Sequence, residues 1–360
     1  MLISIRTFEG KEIPLEVQST DTIQSVKKSV QSKERIRIDL QRLMFDNRTL
    51  QNRRTLSSYG IGDGAILYVV LRAAQHSNTV AGGYGLGNAN DELCYPYGLV
   101  VDDDHQSIII ADWGNHRILQ WKINETNGIV IAGGHNQDNA LNQLYCPTDV
   151  LIDKETNSLI ICDRGNKRVV RWSRRDGTTE GEIIINNIAC WGIAMDKDRY
   201  LYISDIEKHE VRRYQIGEQN GTLVAGGHGK GVGLDQLNWP THLFVDEHYN
   251  VYVSDTWNYR VMKWAKNASE GIVVATGFPR GLCVDSSENI YMADYGNHQL
   301  ICWPKGAKEG KVFTTGDGEK DDTNQLYYPW GLSIYQNDYL YVADHSSHRV
   351  QRFPLKQIDK

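Results

Sequence analysis

Val251-Tyr252-Val253-Ser254-Asp255-Thr256-Trp257-Asn258-Tyr259-Arg260-Val261-Met262-Lys263-Trp264 reads as two short strands around a tight polar loop. Apolar residues alternate up to Asp255, turn-forming residues follow, and a second apolar run ends on an aromatic ring. The same pattern recurs six times. Its other copies are Ile110-Ala111-Asp112 to Arg117, Cys162-Asp163 to Arg168, Ser204-Asp205 to Glu210, Ala293-Asp294 to Gln299, and Ala343-Asp344 to Arg349. The aspartates step by 51, 42, 50, 39 and 50 residues. The closing aromatics are Trp121, Trp172, Tyr214, Trp264, Trp303 and Phe353, and upstream of each unit lies Pro-x-Gly-Leu or a variant, from Pro96 to Leu99 through Pro329 to Leu332. Six units of four short strands, one unit per forty to fifty residues, predict an all-β six-bladed propeller.

Outer strands follow five units, at Ile129–Gly134, Glu182–Ile185, Leu223–Gly227, Ile272–Gly277 and Lys311–Gly316. The sixth has none after it, whereas Thr79-Val80-Ala81-Gly82-Gly83 stands unassigned before the first. This segment is expected to pair with the last blade and close the ring, leaving no open sheet edge. The unit pattern resembles the NHL repeat, most clearly from Gln236-Leu237-Asn238-Trp239-Pro240 through Trp264, and covers about residues 79–354. The third copy departs most, with Lys208 and Glu210 in place of Asn and Arg.

Residues 1–74 carry a different pattern. Ile13, Leu15 and Val17 share one face of a strand, Asp21-Thr22 offers a helix N-cap, and Ile23, Val26 and Val30 fall on one helical face ending near Glu34. Leu43-Met44-Phe45, Leu50 and Ile66 to Leu71 complete a small α+β grasp. This stretch resembles ubiquitin without gaps over residues 1–72. It shares Thr7, Gly10-Lys11, Leu15-Glu16-Val17, Asp21-Thr22-Ile23, Lys33-Glu34, Gln41-Arg42-Leu43, Phe45, Arg54-Thr55-Leu56-Ser57, Tyr59 and Leu71-Arg72. The protein is therefore read as multidomain: a ubiquitin-like β-grasp over 1–74, a linker at 75–78, and a propeller over 79–360. So short a tether is expected to restrict relative motion of the two.

The departures from ubiquitin are informative. Leu71-Arg72 runs on into Ala73-Ala74-Gln75, so there is no Gly-Gly tail to be activated and conjugated. Two positions where the family commonly extends chains are Arg48 and Asp63; Lys11, Lys27 and Lys33 remain. The resemblance implies an integral ubiquitin-like domain whose apolar patch, mapped here to Phe8, Met44, Tyr68 and Val70, docks on a ubiquitin receptor or proteasome subunit. The alternative is a patch packed against the propeller.

Charge divides between the two parts. Residues 1–74 hold 12 Lys and Arg against 8 Asp and Glu, and the rest holds 27 against 37, a net of +4 followed by −10. An acidic propeller argues against a phosphate-backbone binder. Six cysteines without a C-x-x-C pair exclude RING and zinc-ribbon spacings and read as free thiols. No leader and no membrane-length apolar run is present, so a cytoplasmic or nuclear location away from membranes is expected.

On the propeller, the Asp-x-x-Asn-x-Arg loops read as structural ties. The middle residue of Pro-x-Gly varies instead: Tyr97, Thr148, Trp191, Thr241, Arg280 and Trp330. These are expected to ring the channel mouth, either as anchors for a protein or peptide client or as a seal. Two other readings stand beside this adaptor. Some NHL propellers read single-stranded RNA on this face, and Trp191, Trp330, Tyr97 and Arg280 could stack bases. Some six-bladed lyases hold a catalytic metal with several channel histidines, but here the glycine slot offers only His242 beside Asp149. His116, His209, His298 and His348 lie in the repeat loops. No catalytic residue, metal or cofactor is expected.

Overall fold

The computed structural model describes residues 1–7, 11–34, 38, 41–46, 48–71, 78–134, 137–312, 325–336 and 338–355. The protein forms two compact units, one taking in Met1–Asn78 and the other beginning at Thr79. Among the described residues, no helix is long and apolar enough to cross a membrane.

The first unit has strands β1 (Leu2–Arg6), β2 (Glu12–Glu16), β3 (Gln41–Phe45), β4 (Arg48–Thr49) and β5 (Ile66–Leu71), with helix α1 (Ile23–Glu34) between β2 and β3. The sheet order is β2-β1-β5-β3-β4, with β1 and β5 parallel, which is the β-grasp. Thr22 starts the helix by accepting a hydrogen bond from the Ser25 backbone at 3.2 Å. Strand alternation buries Ile3, Ile5, Ile13 and Leu15 against Val26 and Val30 of α1 and Leu43, Leu67 and Val69 of the sheet.

Among the described residues, the second unit forms six four-stranded antiparallel sheets. Blades 1 to 5 begin with the inner strands Pro96–Asp102, Pro147–Asp153, Cys190–Met195, Pro240–Val245 and Pro279–Val284, and blade 6 with Pro329–Tyr335. Each inner strand lies against that of the next blade, and the sixth lies against the first. The fourth strand of blade 6 is Asn78–Gly82, paired beside Arg349–Pro354, one residue earlier in sequence than Thr79–Gly83. Gly83 donates to the His348 carbonyl at 3.2 Å where that strand ends. In blade 5 the described part of the outer strand is Lys311–Val312; the remainder of Lys311–Gly316 lies outside the described residues, as do linker residues 75–77.

The repeated polar residues hold each loop. Asp255 Oδ1 accepts the Asn238 backbone N–H at 2.7 Å, while its Oδ2 accepts from Asn258 Nδ2 at 2.8 Å and Arg260 Nε at 2.7 Å. Arg260 then donates to the carbonyls of Val232, Gly233 and Gln236 in the loop arriving from blade 3. Arg117 and Arg168 repeat this arrangement in blades 1 and 2. Burial raises Asp112, Asp163 and Asp255, and these hydrogen bonds draw them back.

The residue just before the repeat Arg position in these loops adopts a left-handed backbone, and where it is histidine its ring ties blades together. Nδ1 of His116, His209, His298 and His348 accepts the backbone N–H of Cys146, Trp239, Tyr328 and Tyr95, each in the loop entering the next blade, at 3.1 to 3.2 Å. Blade 3 lacks the Asn and Arg. There Asp205 accepts from the Glu207 and Lys208 backbones instead, and Glu210 pairs with Arg212.

Candidate functional site

Two surfaces carry the sequence-derived residues. On the β-grasp sheet, Met44 of β3 and Tyr68 of β5 are directly opposite in antiparallel register, a pair that shares one face of the sheet. Met44 is half-buried and Tyr68 is 45% exposed. Val70 follows in β5 opposite Arg42; its side chain, like the whole of Phe8, lies outside what is described. Arg6 of β1, absent from the sequence-derived set, stands beside this pair. It lies opposite Tyr68 in the parallel ladder, its guanidinium 5.6 Å from the ring centroid and 3.4 Å from the phenol oxygen, and it also pairs with Glu12. A basic, aromatic and thioether group thus sit side by side.

The second surface is the end of the propeller where the inner strands start. In each blade both the Asp-x-x-Asn-x-Arg loop and the loop entering the inner strand open there, because four antiparallel strands return alternate connections to one face. All six variable Pro-x-Gly residues join one cluster. Tyr97 lies 4.2 Å from Trp330 and 5.7 Å from Trp191 between ring centroids, and the two indoles stack at 5.9 Å. Thr148 Oγ1 donates to the Trp191 carbonyl at 2.8 Å, and Thr241 Oγ1 to the Arg280 carbonyl at 3.0 Å. The Arg280 guanidinium lies 4.6 Å over Trp330.

The three large rings are buried, with Tyr97 8%, Trp191 7% and Trp330 3% exposed. They fill the axis instead of offering open faces. The glycines beside them explain the tight ring: a Cβ at Gly331 would collide with the Tyr97 carbonyl oxygen, and one at Gly281 with that of Trp330. Burial pushes the Tyr97 phenol up to about 12, against the pull of Arg280 and Arg164.

A second tier covers this plug, and sequence reasoning passed over it. It comes from the position after the repeat aspartate: Trp113, Arg164, Tyr295 and His345. Trp113 is 5.4 Å and His345 4.9 Å from Tyr97, Tyr295 is 5.1 Å from Trp330, and the Arg164 guanidinium is 4.8 Å over Trp191. Burial, with His348 and Arg280 nearby, holds His345 down to about 4. The signal that could have found this tier was variability: these residues change from blade to blade inside a loop whose Asp barely changes. Trp257 and Tyr259, more than half exposed, stand in the blade 4 loop on the same face.

In the glycine slots of blades 2 and 4 stand Asp149 and His242, with Nδ1 3.9 Å from Oδ2. Burial raises the Asp149 carboxyl, while His242 and the backbone N–H groups of Ile193 and Val150 pull it back. Among the described residues no three His, Cys, Asp or Glu side chains gather closely enough to hold a metal ion. The cysteines are free thiols.

Residues 3–74 match the ubiquitin family, and residues 93–121, 276–303 and 326–353 match the NHL repeat. Ubiquitin-like protein NEDD8 of Dictyostelium discoideum is 39% identical over 71 residues, covering 20% of this chain and 92% of that protein. A structural genomics protein of unknown function from Bacteroides thetaiotaomicron has a TM-score of 0.61 at 15% identity, covering 81% of this chain and 78% of its own. A streptogramin B lyase structure has a TM-score of 0.53 at 8% identity, covering 77% of this chain and 96% of its own. At such identities these two likenesses establish the propeller architecture alone. With its grasp topology and the 71-residue likeness to NEDD8, the protein belongs to the ubiquitin family through its first unit and carries NHL repeats in the propeller that follows.

Proposed function

We propose that this protein is a non-catalytic adaptor of the ubiquitin–proteasome system, working in the cytoplasm or nucleus. Its ubiquitin-like unit docks on a ubiquitin receptor or proteasome subunit through Met44, Tyr68, Val70 and Phe8. The propeller mouth, built on Tyr97, Thr148, Trp191, Thr241, Arg280 and Trp330, holds a protein client. The observation that carries this reading is the pairing of Tyr68 and Met44 on one face of the sheet, in a unit whose sequence runs on past Leu71 without a Gly-Gly. A family member without the tail needed for conjugation, yet with that surface, is suited to being bound in place rather than transferred.

Titration calorimetry of the full-length protein with a ubiquitin-interacting helix tests the docking half. Binding is expected, and Met44→Ala is expected to weaken it about tenfold or more, the effect of losing a central apolar contact. Absence of binding at about millimolar helix, where even weak contacts register, overturns it.

A further inference from the structure

The cluster at the mouth is rich in hydrogen-bond donors that nothing in the protein satisfies. Trp191 and Trp330 are both more than nine-tenths buried, and neither indole Nε1 has a partner. The Nε groups of Arg280 and Arg164 are equally unmatched. Indole and guanidinium nitrogens only donate. Four unmatched donors therefore stand around one aromatic plug, and Tyr97 senses both guanidinium groups.

Trp303 Nε1 and Arg199 Nε are unmatched elsewhere in the propeller, but at the mouth four such donors gather together. Arg164 and Arg280 are half-buried, whereas Arg117, Arg168 and Arg260 are buried and each is bonded to an aspartate and to three backbone carbonyls. Arg280 is held by ring faces only, those of Trp330, Tyr295 and Phe278 at 4.6, 5.0 and 5.7 Å. Its electrostatic neighbours are the phenols of Tyr295 and Tyr97, with no carboxylate among them. A guanidinium half-withdrawn from water, its Nε wholly so, without a counter-charge is held at a penalty that an arriving anion removes. A planar carboxylate, which only accepts and can take two parallel N–H donors at once, complements this inventory.

The size and charge of the domain choose among anion carriers. Two guanidinium groups in a unit of net −10 match one or two negative charges, whereas a nucleic acid brings one at every nucleotide. The surrounding rings match apolar side chains flanking the charge.

We propose that the propeller mouth seats a carboxylate of its client peptide between Arg280 and Arg164, above the Trp191–Trp330 stack. This rests on the client-binding reading and gives it a chemistry. The carboxylate is supplied by an Asp or Glu side group or by the free C-terminal end of the peptide.

The test selects short randomised peptides on the full-length protein from two matched libraries, one with free-acid and one with amidated ends. A side-group source enriches Asp or Glu at one fixed position in both; a terminal source confines recovery to the free-acid library. In either case Arg280→Gln and Arg164→Gln are each expected to weaken recovered peptides about tenfold or more, with Arg280→Lys between, since it keeps charge but loses the fork. The melting temperature of Arg280→Gln is expected to match or exceed that of the parent, because an unpaired cation has been removed. A marked fall, together with unchanged peptide binding by Arg164→Gln, would mean that the guanidinium merely braces the rings and overturns the proposal. Recovered peptides without an acidic residue or free end, bound equally by the Arg280 variant, overturn the carboxylate but leave the client reading standing. Binding of single-stranded RNA with no peptide recovered overturns both.

Discussion

Asp255 shows how much of this propeller depends on single charged groups. It accepts three hydrogen bonds and stands opposite the buried Arg260, so Asp255→Ala strips one partner and leaves the guanidinium uncompensated. A loss of about 3–5 kcal/mol in urea unfolding is expected, the range for breaking a buried pair from one side. Imidazoles work in the opposite sense. His116, His209 and His348 accept backbone N–H groups at Nδ1 and so must be neutral there, and burial holds all three below the ordinary imidazole value. His345 is held down to about 4. The folded state binds these protons less readily than the unfolded state, so stability is full above the unfolded imidazole pKa of 6.5 and falls as pH drops through it. The His345 share of this loss, spread between about pH 6.5 and pH 4, is on the order of 2–3 kcal/mol. Thermal melts across that window are expected to show the decline, and His345→Phe to reduce it. The repeat aspartates were legible from spacing alone. The left-handed histidine ties were legible only as repetition, because the acceptor and its N–H partner lie thirty residues apart on different blades.

At the scale of elements, glycines at the end of an outer strand and in the turn leading to one differ in what surrounds them. Gly226 has φ of +68°, and a Cβ there would lie 2.6 Å from the His209 carbonyl oxygen and 2.8 Å from Leu237. Gly177 has φ of +81° with nothing within 4 Å. Gly177→Ala is expected to cost about 1 kcal/mol from backbone conformation, and Gly226→Ala about 1–3 kcal/mol more because a packed strand must shift. Equal losses in denaturant titrations would mean that the close approach to His209 carries no weight. Period-two alternation and recurring Pro-x-Gly made the blades readable, even in the third, where Lys208 and Glu210 replace the usual loop residues and four strands still form. The second tier at the mouth was signalled only by its variation from blade to blade. Trp113, Arg164, Tyr295 and His345 sit in loops whose neighbours are structural, and nothing local says that a turn residue faces an axis. The burial of Tyr97, Trp191 and Trp330 has the same origin: it depends on how closely six inner strands converge, a property of the ring and not of any one blade.

On the scale of the molecule, the ring is held shut by pairing within blade 6. Thr79 and Ala81 of the closing strand are buried, and Ala81 packs into the cluster containing Tyr341, Ala343 and Val350. Proline at both positions removes two backbone donors and is expected to leave Arg349–Pro354 as an open edge. Light scattering after gel filtration is then expected to show self-association where the parent protein gives a single smaller species.

Asn78–Gly82 also sets an order of events on the ribosome. Synthesis delivers this strand before any blade, yet its neighbour Arg349–Pro354 is made some 270 residues later, which at about 5–20 residues per second is a wait of roughly a quarter of a minute to a minute. Throughout that interval this strand stands without its partner, directly after a ubiquitin-like unit whose own strands are already complete. A nascent polypeptide that stalls before residue 349 keeps that strand bare, and so a truncated product carries at its front the mark of its own incompleteness.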